Sequence, residues 1–302
     1  MTSRLSVAVV AEQLRREVPG GIGTYARGLL AGLARVKATA MIRVVASRAP
    51  GGGPDPLLSL GFPLEVVGLP GPLLSRAWGQ GLWRLRSRGE RDVVHSVSSL
   101  VPAVRGGPVS LTIHDLGWRA LPEMYPPRGR RWHEAALERA IERAAAVVVP
   151  SEATARDLIA AGMPESGVVV IAEGSDHLAP PDHDGAGRLL ASLGVSDGFL
   201  LSVGTREPRK NLRRLLSAYS KARPDLAEPW PLVVVGPQGW GAPADAARLP
   251  EGAVVAGEVS DGVLASLYGR ARLVVYVPLF EGFGLPALEA MAAGTPVVAS
   301  TA

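Results

Sequence analysis

Glu281-Gly-Phe-Gly-Leu-Pro-Ala-Leu-Glu289, continued by Ala-Met-Ala-Ala-Gly-Thr-Pro-Val-Val-Ala-Ser300, is the stretch whose reading decides the fold. Seven residues separate its two carboxylates, one just ahead of a helix and one inside it. Gly282 and Gly284 flank Phe283 and let bare backbone approach a ligand. Pro286 suits a first helical turn, where its missing N–H costs nothing. The free amides and dipole of that helix end form a site for phosphate. Glu281, outside the helix, is placed to accept hydrogen bonds from a hydroxylated ligand. Glu289, two turns in, reaches another part of the same molecule. Loop, helix and the apolar run Val297–Ala299 together spell one helix–strand step of an α/β sheet.

The same step repeats in both directions. First-half strands are expected at 5–11, 41–46, 64–67, 92–95, 109–113, 146–149 and 168–171, with helices at 22–37, 73–88, 128–144 and 152–161. A second alternation places strands at 199–203, 232–235, 253–255, 273–276 and 297–299, and helices at 212–223, 261–270 and 285–293. Strands alternating with amphipathic helices predict parallel sheets. The fold class is therefore α/β, with two Rossmann-like parallel-sheet domains facing a cleft. Domain boundaries are expected at 1–177 and 197–302, with the polar, Pro/Gly-rich 178–196 as linker. Such sheets bind ligands beyond the carboxyl ends of their strands.

Composition narrows the function. The chain has 302 residues, 47% of them hydrophobic, with 36 Gly, 26 Pro and no Cys. No disulfide, thiolate metal site or cysteine nucleophile is available. No apolar run approaches the ~20 residues of a membrane span, and the apolar 7–11 is too short for a secretion signal. Cytoplasmic location follows as the expectation. Charge is uneven: net +5 through Asp176 and −1 beyond it. Arg84, Arg86 and Arg88, and Arg128, Arg130 and Arg131 beside Trp132, carry the excess. This basic face either rests on an anionic membrane surface or is a solvated face in an arginine-rich chain of 29 Arg and 3 Lys. No aromatic-interleaved basic groove for nucleic acid is evident.

Four further constellations stand out, three of them at strand ends. In Val203-Gly-Thr-Arg-Glu-Pro-Arg-Lys210-Asn, the cations Arg206, Arg209 and Lys210 are placed to hold a diphosphate whose negative charge grows as it departs. Thr112-Ile-His114-Asp115 follows another strand, with His114 available near a reacting carbon and Asp115 as its buttress. His95, ending an earlier strand, is a candidate for the acceptor side. Gly20-Gly-Ile-Gly23 opens the first helix, and Gly21, Gly23 and Ala26 also spell a G-x-G-x-x-A dinucleotide fingerprint. Those glycines lie nine residues beyond the first strand, and the second strand carries no acid for a ribose, so the fingerprint reading fails. Asp182-His-Asp184 in the linker is a chance D-x-D.

The glutamate stretch, the lysine loop, the histidine loop and the glycine-rich opening resemble the retaining GT-B glycosyltransferases of the family 4 or group 1 type with an E-x7-E motif. Gly236-Pro-Gln-Gly-Trp240 and Glu173-Gly-Ser-Asp176 are similar to further loops of that family. One departure stands in the lysine loop, where Thr205 replaces the arginine that often follows the glycine. The resemblance implies that Glu281 contacts the donor-sugar hydroxyls and Glu289 the ribose. It further implies that Lys210 and Arg209, with Arg206 and the segment Gly282, Phe283, Gly284 and Leu285, hold the donor phosphates. Gly21 and Gly23 approach donor phosphate or acceptor, and His114 lies by the reaction centre.

What this implies is a retaining, metal-independent hexosyltransferase with no cofactor beyond its nucleotide-diphosphate sugar, GDP-mannose in the first instance. The acceptor would be a glycan or a lipid-linked glycan in cell-surface polysaccharide synthesis, with peripheral contact at the inner membrane face and no nucleic-acid partner. Against the family's usual extent, a chain ending after the strand at 297–299 would be a C-terminally truncated member. Two alternatives remain: a sugar-nucleotide epimerase on the same fold, and a degenerate sugar-nucleotide-binding subunit.

Overall fold

The computed structural model describes residues 5–16, 18–35, 40–49, 51, 55–86, 92–196, 198–239 and 249–301. They form two compact units, Met1–Glu173 and Gly174–Ala302, each with its own sheet.

Unit 1 runs β1 (Ser6–Val10), α1 (Gly20–Arg35), β2 (Met41–Arg48), β3 (Leu64–Pro70), α2 (Gly71–Gly79), β4 (Leu85–Arg86), β5 (Asp92–Ser96) and β6 (Val104–Arg105). It continues with β7 (Val109–Thr112), α3 (Gly117–Ala120), α4 (Pro127–Arg143), β8 (Ala144–Val149), α5 (Glu152–Ala160) and β9 (Val168–Val170). Its main sheet has the order β3-β2-β1-β5-β7-β8-β9, and every pairing among the described residues is parallel. Both faces of β1 are covered, which is why the strand reads as an unbroken apolar run. Val9 packs with Leu30 and Val44 on one side, while Ala8 and Val10 meet Leu74 and Trp78 on the other.

Unit 2 runs α6 (His183–Ser192), β10 (Leu200–Val203), α7 (Leu212–Ala222), β11 (Leu232–Val235), β12 (Ala253–Gly257), α8 (Asp261–Arg270), β13 (Leu273–Tyr276), α9 (Leu285–Ala292) and β14 (Val297–Ala299). Its sheet order is β12-β11-β10-β13-β14, again parallel throughout the described residues. The strand order reverses between β10 and β13. The loops leaving these two strands therefore share the crevice where doubly wound sheets bind ligands.

Two expectations need correction. The segment 178–196, read as a linker, contains α6, and the division between units falls at Glu173/Gly174. Its polar start is a helix cap: Asp182 accepts from the Gly185 amide at 2.8 Å, which also gives the chance D-x-D a local role. Ala186 and Leu190, four apart on one face, then enter a core with Phe199 and Leu201. The helix expected over 73–88 ends at Gly79, because Gly81 (φ 72°) and Trp83 (φ 53°) turn the chain into β4. Arg88, Lys37 and Trp240 lie outside the described residues.

One polar device inside unit 1 escaped the sequence reading. Arg43 of β2 forms a fork with Asp92 of β5, two bonds of 2.9 Å, spanning the intervening β1. Asp92 is 0% exposed, so its charge depends on buried partners, and the Arg43 fork is one of them. The bond to Asp92 raises the Arg43 pKa against the cost of burial.

Candidate functional site

The loops after β10 and β13 are stitched together before any side-chain charge is considered. Leu279 donates its amide to the Arg209 carbonyl at 2.9 Å. Asn211 donates from Nδ2 to the Val277 carbonyl at 3.0 Å. Asn211 holds φ 58°, a left-handed conformation that asparagine tolerates better than most residues, and there the chain turns from the lysine loop into α7. A third strand end, that of β11, closes over this pair. A Cβ on Gly236 would come 2.1 Å from the Gly204 carbonyl oxygen, so backbone packs directly on backbone.

On this frame the charged side chains converge on Glu281. Lys210 Nζ donates to Glu281 Oε2 at 2.5 Å and Arg209 Nη1 to Oε1 at 3.1 Å. Tyr276, the last residue of β13, donates its hydroxyl to Oε2 at 2.5 Å and accepts from Lys210 at 3.0 Å. Arg209 also donates to the Phe280 carbonyl at 3.0 Å and pairs with Glu207 at 3.0 Å. Burial alone would raise the Glu281 pKa, but Lys210 and Arg209 outweigh it and hold the carboxyl at about 2. Burial and the neighbouring Glu281 push the Tyr276 pKa up, so the phenol keeps its proton and remains a donor. Burial raises the Glu207 pKa in spite of Arg209 and Lys210.

Beyond this cluster the chain enters α9 as the sequence predicts. Gly284 takes φ 99° as the residue before the helix, and Pro286 sits in the first turn. The amides of Phe283, Gly284 and Leu285 precede the first intrahelical donor, Ala287. Arg206 does not join the Glu281 cluster: its Nε is buried with no hydrogen-bond partner. Glu289 is only 7% exposed and already holds two partners. Tyr268 donates to Oε2 and His177 Nε2 lies against Oε1, each at 2.7 Å.

His114, Gly21 and Gly23 belong to unit 1. His114 has both ring nitrogens engaged, Nε2 with the Val97 carbonyl and Nδ1 with Glu173, each at 3.0 Å. A carbonyl can only accept, so Nε2 is the donor in the bond to Val97. Tyr25 meets the His114 ring edge-on at 4.8 Å and bonds Thr112 at 2.9 Å. Asp115, read as the buttress of His114, caps the Gly117 amide at 2.8 Å. His95 lies 3.0 Å from Ser110. Burial, with the charge of His114, lowers its pKa to about 4. Gly21 is exposed in the first turn of α1, whereas Gly23 is buried, where a Cβ would meet the Pro19 Cβ at 2.3 Å.

Tyr276, Glu207, Glu173, His177 and Tyr268 were absent from the sequence-based site. Tyr276 had a signal, as a polar residue ending a core strand at its carboxyl edge. Glu207 and Glu173 stood inside loops already singled out, with His177 one residue past the second. Tyr268 had none, being one more large side chain in the apolar pattern of α8.

Two parallel doubly wound units, with a cation–carboxylate cluster at one switch point and a free helix start beside it, make up the GT-B glycosyltransferase class. Residues 19–177, just over half the chain, match the model of Glycosyltransferase Family 4, and residues 193–302 match Glycosyl transferases group 1. The chain belongs to glycosyltransferase family 4. It is 32% identical over 197 residues to the O-antigen chain mannosyltransferase B of Escherichia coli, covering 63% of this chain and 52% of that one. It is 31% identical over 114 residues to the O-antigen chain mannosyltransferase RfbU of Salmonella typhimurium, covering 34% of this chain and 30% of the relative. The aligned region is thus about half the length of the first relative and less of the second. The crystal structure of Anabaena Alr3699/HepE in complex with UDP-glucose has the same fold, with a TM-score of 0.70 at 20% identity over 99% of this chain and 81% of that one. No helix among the described residues is long and apolar enough to cross a membrane.

Proposed function

We propose that this chain is a retaining, metal-independent hexosyltransferase that moves mannose from GDP-mannose to a hydroxyl of a glycan acceptor in surface-polysaccharide synthesis. The observation that carries the reading is the convergence of Lys210, Arg209 and Glu281 beside the start of α9, at the switch point of unit 2. The mannosyltransferase names of the two curated relatives support the sugar.

The roles follow from the charge states. A carboxyl held at about 2 is ionised near neutrality and cannot serve as a general acid. Glu281 is therefore an acceptor for the sugar hydroxyls, fixed in place by Tyr276 and the two cations. Lys210 and Arg209, with the amides of Phe283 to Leu285, receive the departing diphosphate. Its charge grows in the transition state, so fixed cations and dipoles lower the barrier there. They supply the positive charge that a metal provides elsewhere, which is our ground for reading the reaction as metal-independent. Glu289, oriented by Tyr268 and His177, has lone pairs left for a ribose hydroxyl. Retention is assigned to front-side attack, with the leaving phosphate taking the acceptor proton. Acceptor binding is assigned to unit 1, with His114 oriented by the Val97 carbonyl and Glu173.

The test is thermal stabilisation by GDP, UDP and their mannose and glucose conjugates, followed by transfer of labelled mannose. A ligand at about 100 times its Kd adds about 2.7 kcal/mol. A shift with GDP and its mannose conjugate, lost in Lys210→Ala, supports the reading. A folded chain that no nucleotide shifts refutes it.

A further inference from the structure

Unit 1 contains a cavity of about 1120 Å³ whose lining is dominated by arginine. One wall is a single stripe of α2 (Ser75, Arg76, Gly79) and another a single stripe of α4 (Arg128, Trp132, Arg139), each spaced at helical intervals. The opposite stripe of α2 carries Leu74 and Trp78 into the core, so the arginine side is fixed outward into the cavity. Arg48, at the end of β2, and Arg16, beyond β1, complete the ring.

Among the described residues these charges are not balanced. Among the lining residues six are arginine and only Glu12 is acidic. Glu12 is committed to Ser47, whose amide and hydroxyl each bond it at 2.8 Å, and Arg15 is paired with Asp55. Arg16, Arg48, Arg76, Arg128 and Arg139 form no salt bridge with any described residue. Arg139 Nε is buried with no hydrogen-bond partner. Burial lowers the pKa of Arg139 and of Arg16, in each case more than the nearby carboxylates restore it. Guanidinium groups gathered round one concavity repel one another, and a bound anion relieves that repulsion. The forked donors of arginine match phosphate oxygens in geometry.

We propose that this cavity binds the phosphate or diphosphate of the acceptor, so that the acceptor of the proposed transfer is anionic. The inference rests on the transferase reading for the word acceptor; the phosphate site itself rests on unit 1 alone. Lys210 and Arg209, assigned to the donor, are residues of the other unit. Leu100 and Trp132 give part of the lining an apolar character suited to the carrier next to the phosphate. That carrier is either a lipid or a soluble sugar.

Calorimetric titration of the full chain with inorganic pyrophosphate, farnesyl diphosphate and farnesol at fixed ionic strength tests this, alongside Arg76→Gln and Arg139→Gln. The expected result is binding of pyrophosphate, weakened about tenfold by either substitution, as for loss of one charge-assisted contact. Both variants should melt at or above the parent temperature, because each relieves repulsion, and both should keep the GDP shift. Farnesyl diphosphate binding far more tightly than pyrophosphate identifies a lipid carrier; equal affinity identifies a soluble phosphate ester. Failure of a folded chain to bind either diphosphate overturns the proposal. So does binding of farnesol as tightly as farnesyl diphosphate, lower melting of both variants, or pyrophosphate binding lost in Lys210→Ala but intact in both arginine variants. GDP and UDP titrations with Lys210→Ala judge the transferase reading separately. The phosphate site can thus stand where the donor reading falls, and the reverse.

Discussion

His177 Nε2 lies 2.7 Å from Glu289 Oε1, while the Tyr268 hydroxyl holds the other oxygen at 2.7 Å. The second glutamate of the E-x7-E motif is thus clamped from two sides before any ligand arrives. A carboxylate so fixed presents its remaining lone pairs in one direction, which is what recognition of a ribose hydroxyl requires.

His177→Phe removes one side of that clamp and leaves Tyr268 in place. We expect the donor KM to rise about fivefold to tenfold with kcat nearly unchanged, the pattern of lost uniform binding. Tyr268→Phe leaves the buried carboxylate short of a donor and should cost about 1–3 kcal/mol of stability. Steady-state kinetics and chemical denaturation separate the two.

Lys210→Ala deletes one of the two 2.5 Å contacts to Glu281 and half of the cationic pair. Transfer should fall about 10²–10³-fold in kcat/KM, by analogy with loss of one preorganised donor at a developing charge. The Glu281 pKa should rise from about 2 toward its ordinary value of 4.5. Kinetics give the first outcome and carboxyl titration by NMR the second.

Acidification should destabilise the chain in two windows. His95 has its pKa lowered from 6.5 to about 4, so the unfolded chain takes up a proton first and stability falls between those values. Glu281 has its pKa lowered from 4.5 to about 2, so its contribution is whole above 4.5 and drains away as pH falls to about 2. Melting temperatures from pH 7 downward should show a smaller upper step in His95→Gln and a smaller lower step in Glu281→Gln, with His133, lowered by burial, keeping part of the upper one.

Asp92→Ala would take the bidentate partner from the buried Arg43, which keeps Glu65 at 3.2 Å and Ser6 at 2.9 Å, and should cost about 3 kcal/mol, the low end for a broken buried pair. Replacing both partners with apolar residues of similar volume, Arg43→Met with Asp92→Leu, should recover most of that loss. Equilibrium urea unfolding of the three variants checks the order.

Gly236→Ala forces a methyl to within 2.1 Å of the Gly204 carbonyl at a φ of 139°. The strain should cost about 1–3 kcal/mol and displace the Gly204–Lys210 loop, so nucleotide stabilisation should fall with it. Thermal shift with GDP reads both effects.

The succession of strands and helices was legible because it depends on local apolar periodicity. The strands at 232–235, 273–276 and 297–299 and the helix at 261–270 fall where the pattern puts them. Lys210, Arg209 and Glu281, which the structure brings together, were legible for a related reason. They stand at strand ends, and a parallel doubly wound sheet delivers its strand ends to one edge. The misread linker shows the limit of composition, since a Pro/Gly-rich start can mark a capped helix as readily as a tether.

What the sequence determined by itself is therefore the order of elements, their parallel pairing and the identity of the charged loops. Only the tertiary structure decided which charges are spent on one another. Arg43 and Asp92 stand 49 residues apart, and His177 and Glu289 stand 112 apart. The five arginines around the unit 1 cavity that form no salt bridge with a described residue come from four separate elements and loops. Periodicity reports which side of an element faces the core, because that depends on neighbours a turn or a strand position away. Pairing of charges depends on distance in space, and the chain reveals that distance only once each sheet has formed.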